Sequence, residues 1–406
     1  MPRRRGPADL SGRAKRERDL ETVRLVNDAL QQEPVRRRAR VTPPPRLTLS
    51  EQVDVTTLRK LAAVRGLVTD PLRARVWPRL LNADVPRAAP AQRAESHRDS
   101  STVQCDVERS LWHFTADWSD ERRALKRAAL QRILNGAASS GLARTRGRSR
   151  TRSAGVVCSH ADTVHYYQGL HDVASVLLLV CGEAAAYALL ERLALGHLRD
   201  CTRATLDPVM QLLRLLFPLL AQCDPELHAF LQRSGVLPYF ALTWVLTWHV
   251  HEARNLQVAA RLFDLFMSSS PLMPLYVGAV ALLAERDAIL AQPCDAAELH
   301  RFLSAVNVLG RLSADELAAR ALALHRDHPP ARLQQLAGLR LPKDCALNSY
   351  PFTGAVRGMP PHKRSRMVRI AGAVGTSVAA ITAAAVLGGP LSLYAARALL
   401  AATSAA

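Results

Sequence analysis

Two short stretches of this 406-residue chain carry side chains that could do more than pack. The first is Val103-Gln104-Cys105-Asp106-Val107-Glu108-Arg109, where a carboxylate and a guanidinium stand three positions apart. The second is Tyr166-Tyr167-Gln168-Gly169. A guanidinium is planar and permanently charged, which suits it to stabilising negative charge that develops during a reaction. A primary amide accepts and donates at once, so Gln168 can orient a water while bonding a second group. Gly169 lets two backbones approach closely. Taken singly, neither stretch is diagnostic. An Asp–Arg pair at i,i+3 is usually a surface ion pair worth about 0.2–0.5 kcal/mol, and the tetrapeptide also reads as a helix start.

Other chemistries find little support. The seven cysteines lack CxxC spacing and are odd in number, as expected for reduced, mostly buried thiols rather than a disulfide framework or a zinc site. His249 and His251 flank Val250 with no HExxH motif, so they read as solvated or internally satisfied histidines. The net charge of +19 raises the question of nucleic acid. Its location answers against it: residues 1–49 carry 13 basic and 6 acidic groups, residues 142–153 hold five arginines, and residues 357–369 hold five basic residues. The rest of the chain is nearly neutral, which argues against a dedicated nucleic-acid-binding face.

The elements that must position the two stretches read as helices. Apolar residues make up 49% of the chain, aromatics are few, and Leu and Ala dominate, a composition that favours an α-helical core. Asp-Pro pairs at 70–71, 207–208 and 224–225 fit helix N-termini, because Asp can bond first-turn amides and Pro at the first helical position loses no partner. Ser313-Ala314-Asp315-Glu316 reads as a capping box. Val173–Cys181, Met210–Leu220 (with Pro218 ending or kinking it), Phe240–Val250, Ala259–Met267 and Leu272–Ala284 are apolar on most faces, as helices inside a large bundle are. Charges or prolines interrupt each, so none reads as a membrane span.

In order and context, these patterns resemble the TBC domain, the catalytic module of Rab GTPase-activating proteins. Gly66-Leu67-Val68-Thr69-Asp70-Pro71-Leu72-Arg73-Ala74-Arg75-Val76-Trp77 is similar to its first motif. Val103, Asp106 and Arg109 match I-x-x-D-x-x-R with Val for Ile, and Tyr166, Gln168 and Gly169 match Y-x-Q-G. The likeness covers about residues 60–290. It departs from the pattern at Ser110-Leu111-Trp112-His113-Phe114 and in an Arg-rich insert at 139–153. The resemblance implies an all-α, multi-helix TBC domain over residues 58–330. It makes Arg109 an arginine finger and Gln168 a glutamine finger, both supplied in trans to a Rab GTPase. Asp106 would orient Arg109, Tyr166 would support the Gln loop, and Arg73 and Trp77 would be structural. No cofactor belongs to the chain itself; Mg²⁺ and GTP come with the Rab. The stretches HYYQGLHD, HLRDCTRATLDPVM, CDPELHAFLQ, LTWVLTW and PLMPLYVGAV look like those of tail-anchored members of the family. That likeness implies a Rab of endoplasmic reticulum to Golgi transport and residence in the endoplasmic reticulum. The alternative is a membrane-anchored Rab-binding scaffold with weak catalysis.

Residues 1–57 read as a disordered basic region with one short helix near Leu20–Gln32, residues 331–369 as a linker and basic juxtamembrane segment, and residues 139–153 as a disordered insert. Ile370–Ala396 contains no charged residue over 27 positions, and about 20 apolar residues suffice to cross a bilayer. Lys363, Arg364, Arg366 and Arg369 precede the run, which places the bulk of the protein on the cytosolic side of a tail-anchored chain. Gly388-Gly389-Pro390 leaves a re-entrant hairpin as a second topology. Deleting residues 364–406 is therefore expected to move the protein from the membrane pellet to the soluble fraction; retention in the pellet would refute the anchor.

Overall fold

The caps and breakers in the sequence set most of the helix boundaries. A computed structural model describes residues 7–31, 49–87, 97–147 and 164–352, and among these no strand occurs. In chain order the helices are α1 (Pro7–Gln31), α2 (Leu49–Arg65), α3 (Asp70–Leu80), α4 (Ser100–Glu108), α5 (Asp120–Gly147), α6 (Leu170–Cys181), α7 (Glu183–Ala194), α8 (Asp207–Leu213) and α9 (Leu216–Cys223). They continue with α10 (Pro225–Ser234), α11 (Leu242–Thr247), α12 (Leu256–Ser268), α13 (Met273–Ala284), α14 (Arg286–Leu290), α15 (Ala296–Ser304), α16 (Ala314–Asp327), α17 (Pro330–Leu336) and α18 (Ala346–Ser349). The capping box at Ser313 and Glu316 is formed, and Asp224 caps α10 by accepting the Leu227 N–H at 2.9 Å. The other two Asp-Pro pairs behave differently. Asp70 and Asp207 are the first residues inside their helices and make no cap bond; the Asp70 carboxylate instead receives Arg73 and Gln257.

Helices α6, α12 and α13 are buried along nearly their whole length; α6 and α13 are apolar on most faces, while the polar residues of α12 are paired inside the domain. Each fully buried Leu, Val or Phe contributes about 1.5–3 kcal/mol through area removed from water. Two apolar stretches break where continuity is expected. Met210–Leu220 divides at Arg214-Leu215, which leaves Pro218 in the first turn of α9, a position where its missing N–H has no helical partner to lose. Phe240–Val250 stops at Thr247 because Trp248 and His249 take positive φ values of 52° and 59°. This turn drives the Trp248 ring against Phe263 and Phe266 and brings His249 Nε2 to the Pro274 carbonyl at 2.9 Å. His249 is fully buried, and burial pushes its pKa down to about 4. Its Nε2 is thus bonded, while its buried Nδ1 has no hydrogen-bond partner among the described residues.

At the centre of α12 lies Asp264, with no solvent exposure. Its carboxylate accepts the Trp77 Nε1–H at 2.8 Å, the Leu67 backbone N–H at 2.8 Å, and Arg73 Nε and Nη2 at 3.2 Å. Arg73 and Trp77 stand four residues apart on one face of α3, so a single carboxylate ties α3 and the turn after α2 to α12. The remaining Arg73 nitrogen reaches Asp70 and Gln257. Arg73 and Trp77 thus share a partner almost two hundred residues away.

Three expectations about boundaries are corrected. The domain does not begin at residue 58: α1 packs Val26, Ala29 and Leu30 into the core and pairs Glu21 with Arg65 at 2.6 Å. Its charged face had masked a buried stripe. The segment after residue 330 is not a linker as far as residue 352. Leu333, Leu341, Cys345 and Ala346 are buried, Asp200 accepts the Ala346 N–H at 3.0 Å, and Tyr350 and Phe352 pack on the His197 ring. Residues 139–147 of the Arg-rich insert continue α5, a helix already packed on α4, α6 and α7, and extending a formed helix costs less than starting one. Of the six cysteines described, Cys201 and Cys345 are buried while Cys105 and Cys294 are exposed, and all six are unpaired. The apolar run 370–396 lies outside the described residues; among those described, no helix is long and apolar enough to cross a membrane.

Asp264→Ala is expected to lower stability by about 3–5 kcal/mol, because it strands a buried guanidinium. Glu298→Ala, which breaks the exposed pair with Arg301, should cost less than about 1 kcal/mol. Equal shifts of the two variants in chemical denaturation would refute the central role of Asp264.

Candidate functional site

The first motif forms the last turn and the end of α4. Val103 and Val107 face the core, which fixes the helix rotation so that Asp106 points inward and Arg109 stands at the C-terminal cap. A cation is favoured there by the helix dipole. Asp106 is buried, whereas the Arg109 side chain retains 43% of its exposure; the two form an ion pair through Arg109 Nη2 and Asp106 Oδ1. The pair leaves the guanidinium open to solvent.

The second motif precedes α6. The Tyr166 backbone N–H bonds Asp99 at 3.1 Å, and the Tyr167 hydroxyl donates to the Leu246 carbonyl at 2.9 Å. The loop is thus tied to α4 on one side and α11 on the other. Gly169 is the N-cap of α6 with φ 111°, a left-handed value that disfavours any side chain. A Cβ there would also sit 3.1 Å from Thr247 Cγ2. Gln168 stands immediately before it, partly exposed, and among the described residues no hydrogen bond holds its amide.

Asp106 joins the two motifs. Its second oxygen accepts the Tyr166 hydroxyl at 2.6 Å and lies 3.4 Å from His171 Nδ1. His171 Nε2 in turn lies 3.4 Å from Asp172. Burial by itself would raise the Asp106 pKa, but the contacts from His171 and Tyr166 and the charges of His171 and Arg109 hold it below the usual carboxylate range. Burial would lower the His171 pKa; the Asp106 contact and the charges of Asp172 and Asp106 outweigh it and raise it above 6.5. Tyr166 is pushed well up by burial and by the Asp106 charge, so it stays a donor.

Arg109 and Gln168 line one open groove of about 960 Å³, with Asp172, Trp112, Thr247 and Glu252 around them. Burial pushes the Glu252 pKa up to about 7, while one of its oxygens accepts the Val308 N–H at 2.9 Å. The segment that departs from the family pattern forms part of the wall. Leu111 takes φ 72°, Trp112 is half-exposed with the Arg123 guanidinium 3.7 Å from its ring centre, and His113 bonds the Ala253 carbonyl. Of the seven residues singled out in the sequence, five meet at this groove or just behind it; Arg73 and Trp77 lie in the core. The sequence reading gave no role to His171, Trp112 or Glu252. His171 could have been noticed as an ionisable side chain two positions beyond the glycine of the second motif.

Residues 156–290 match the family described as the Rab-GTPase-TBC domain; they include Tyr166, Gln168, Gly169 and Asp264, while Arg109 lies before them. The chain belongs to this RabGAP-TBC family, whose function is Rab GTPase activation and whose partner is a Rab GTPase. It is 34% identical over 293 residues to TBC1 domain family member 20 of Mus musculus, covering 71% of this chain and 67% of the relative, and equally to the Homo sapiens protein of that name. It is 31% identical over 242 residues to the GTPase-activating protein gyp10 of Schizosaccharomyces pombe, covering 58% of this chain and 59% of that protein. The fold is similar to the crystal structure of the Chlamydomonas flagellar RabGAP TBC domain, with a TM-score of 0.51 and 18% identity over 79% of this chain and 97% of that one. It is likewise similar to the Ypt/Rab-GAP domain of Gyp1p, with a TM-score of 0.51 and 13% identity over 76% of this chain and 98% of that one.

The raised pKa of His171 makes a prediction with a definite sign. Its stabilising contribution is fully present below its unfolded-state value near 6.5 and is lost as pH rises through the higher folded value. In Asp106→Asn the carboxylate charge is gone, so the His171 midpoint, followed by ring NMR, should fall relative to wild type. An unchanged midpoint would show that the contact carries no charge coupling.

Proposed function

We propose that this chain accelerates GTP hydrolysis by a GTP-bound Rab of early secretory traffic, with Arg109 and Gln168 entering the nucleotide site of the Rab. The observation that supports this reading most directly is their presence on one groove, the guanidinium half-exposed and the amide without a competing partner. Hydrolysis develops negative charge across the transferring phosphoryl group and the leaving oxygen. A trans guanidinium that stabilises this charge is worth about 10³–10⁵ in rate, or about 4–7 kcal/mol of barrier. Asp106 keeps Arg109 extended from the end of α4, and Tyr166 keeps Asp106 in place. The Gln168 amide accepts from the attacking water and donates toward the γ-phosphate. The nucleotide and Mg²⁺ belong to the Rab. The C-terminal apolar run holds the catalytic domain on the cytosolic face of the endoplasmic reticulum, where such a Rab works.

Single-turnover GTP hydrolysis across a panel of Rabs, with the full chain, tests this. At least one early-secretory Rab should be accelerated. Arg109→Ala should remove about 10³-fold or more of the acceleration, and Arg109→Lys nearly as much, because the planar fork is lost. Gln168→Ala should lose roughly 10²-fold through misplacement of the water. If a Rab binds but is not accelerated, or if both variants match wild type, the chain is a Rab-binding scaffold instead.

A further inference from the structure

His171 sits where the two motifs meet, yet nothing in the proposed chemistry uses it. It is the second residue of α6, buried to 8% exposure. One ring nitrogen faces three groups. Nδ1 accepts the Gly169 backbone N–H at 3.3 Å, lies 3.1 Å from the Tyr166 hydroxyl oxygen, and lies 3.4 Å from Asp106 Oδ2. The Gly169 N–H belongs to the peptide that joins Gln168 to Gly169, so its partner controls the orientation of the residue that carries the amide. The ionisable groups facing the ring are Asp106 and Arg109 from α4, Tyr166 from the loop, and Asp172 from α6.

The proton on Nδ1 decides which of these contacts is made: a neutral ring protonated on Nε2 can accept Gly169 N–H, and a ring with a proton on Nδ1 cannot. When the ring is neutral with its proton on Nε2, that proton faces Asp172 and the Nδ1 lone pair accepts Gly169 N–H. When Nδ1 also carries a proton, the lone pair is gone. The new N–H turns to the Tyr166 oxygen, whose own proton is given to Asp106, and to the Asp106 carboxylate. The Gly169 N–H is then left buried and facing another donor, an arrangement that costs free energy and loosens the peptide. The imidazolium also competes with Arg109 for the same carboxylate.

We propose that His171 is a positioning residue of the glutamine loop: unprotonated Nδ1 holds the Gln168–Gly169 peptide, and protonation transfers that nitrogen to Asp106 and releases the loop. The proposal rests on the reading that Gln168 acts during GTP hydrolysis, and it makes GTPase activation a function of the His171 proton. Activity is highest with the ring neutral and falls as pH drops through the His171 pKa, which its carboxylate neighbours keep above the ordinary histidine value.

Isostery supplies the test. Asn places an oxygen near the position of Nδ1 and does not titrate; Gln places its polar atoms near Nε2; Ala has neither. With the full chain and a GTP-loaded Rab from the panel, His171→Ala should lower kcat about tenfold at pH 8 with KM unchanged, the effect of one lost orienting bond. His171→Asn should recover most of that rate and His171→Gln should not. Wild type should lose activity between pH 8 and pH 6, and His171→Asn should lose markedly less; what pH dependence remains belongs to Glu252 and to the Rab, whose intrinsic hydrolysis is subtracted. Thermal melts of each variant separate misfolding from mispositioning, and a neutral-ring ¹⁵N spectrum of wild type reads the tautomer without a Rab. The inference is overturned if Arg109→Ala and Gln168→Ala are impaired while His171→Ala keeps the wild-type kcat, if His171→Asn retains the full pH-dependent loss, or if the neutral ring is protonated on Nδ1. Wild-type rates in Arg109→Ala and Gln168→Ala would instead overturn the catalytic reading on which the inference rests.

Discussion

A carboxylate without solvent exposure must be paired, and the way Asp264 is paired organises the domain. An unpaired ion at that depth would be costly by several kcal/mol. Three donors from two chain segments converge on it: the Arg73 guanidinium, the Trp77 indole and the Leu67 amide. Apolar packing alone would let α3 slide along α12 with little penalty. A carboxylate that must meet a guanidinium and an indole four residues apart permits one register. Helix α6 packs against both α3 and α12, so the loop that begins α6 inherits its position from this contact.

Asp106 repeats the logic at the edge of the groove with a different result. Its two oxygens are divided: one takes Arg109, and the other takes Tyr166 and faces His171. The carboxylate is buried but the guanidinium is not. Arg109 is thus paired through one nitrogen and open to solvent over the rest of its guanidinium. Gln168 is arranged likewise, with the residues on either side of it bonded or packed and its own amide open. Rigid support close behind a mobile tip is how a site built on a helix end and a loop keeps its geometry.

The all-helical class, the long apolar helices α6, α12 and α13, and the caps at Asp224 and Ser313 were legible because they depend on neighbours within a turn or two. The two motifs were legible as pieces, because side-chain type limits the chemistry available. Asp264 was not. It stands in Leu262-Phe263-Asp264-Leu265-Phe266, where a lone carboxylate in an apolar stretch signals a buried partner but says nothing of which one. Of α1 only a short helix near residues 20–32 was legible, and its packing was not, because its arginines and acids outnumber the few residues it buries; residues 331–352 were not legible because their anchors are scattered single contacts rather than a periodic stripe.

The sequence by itself determined what each part could be: helices from periodicity and capping, a permanent cation from Arg109, an adaptable amide from Gln168, and an apolar tail from 27 uncharged positions. Tertiary structure alone decided that Arg109 and Gln168 share a groove, that Asp106 stands between Arg109 and His171, and that Asp264 joins Leu67, Arg73 and Trp77. The physical reason is the range of the interactions. Backbone hydrogen bonds and amphipathic periods are local and leave a repeating trace in the chain, whereas a buried carboxylate finds its partners through space and leaves no trace between them.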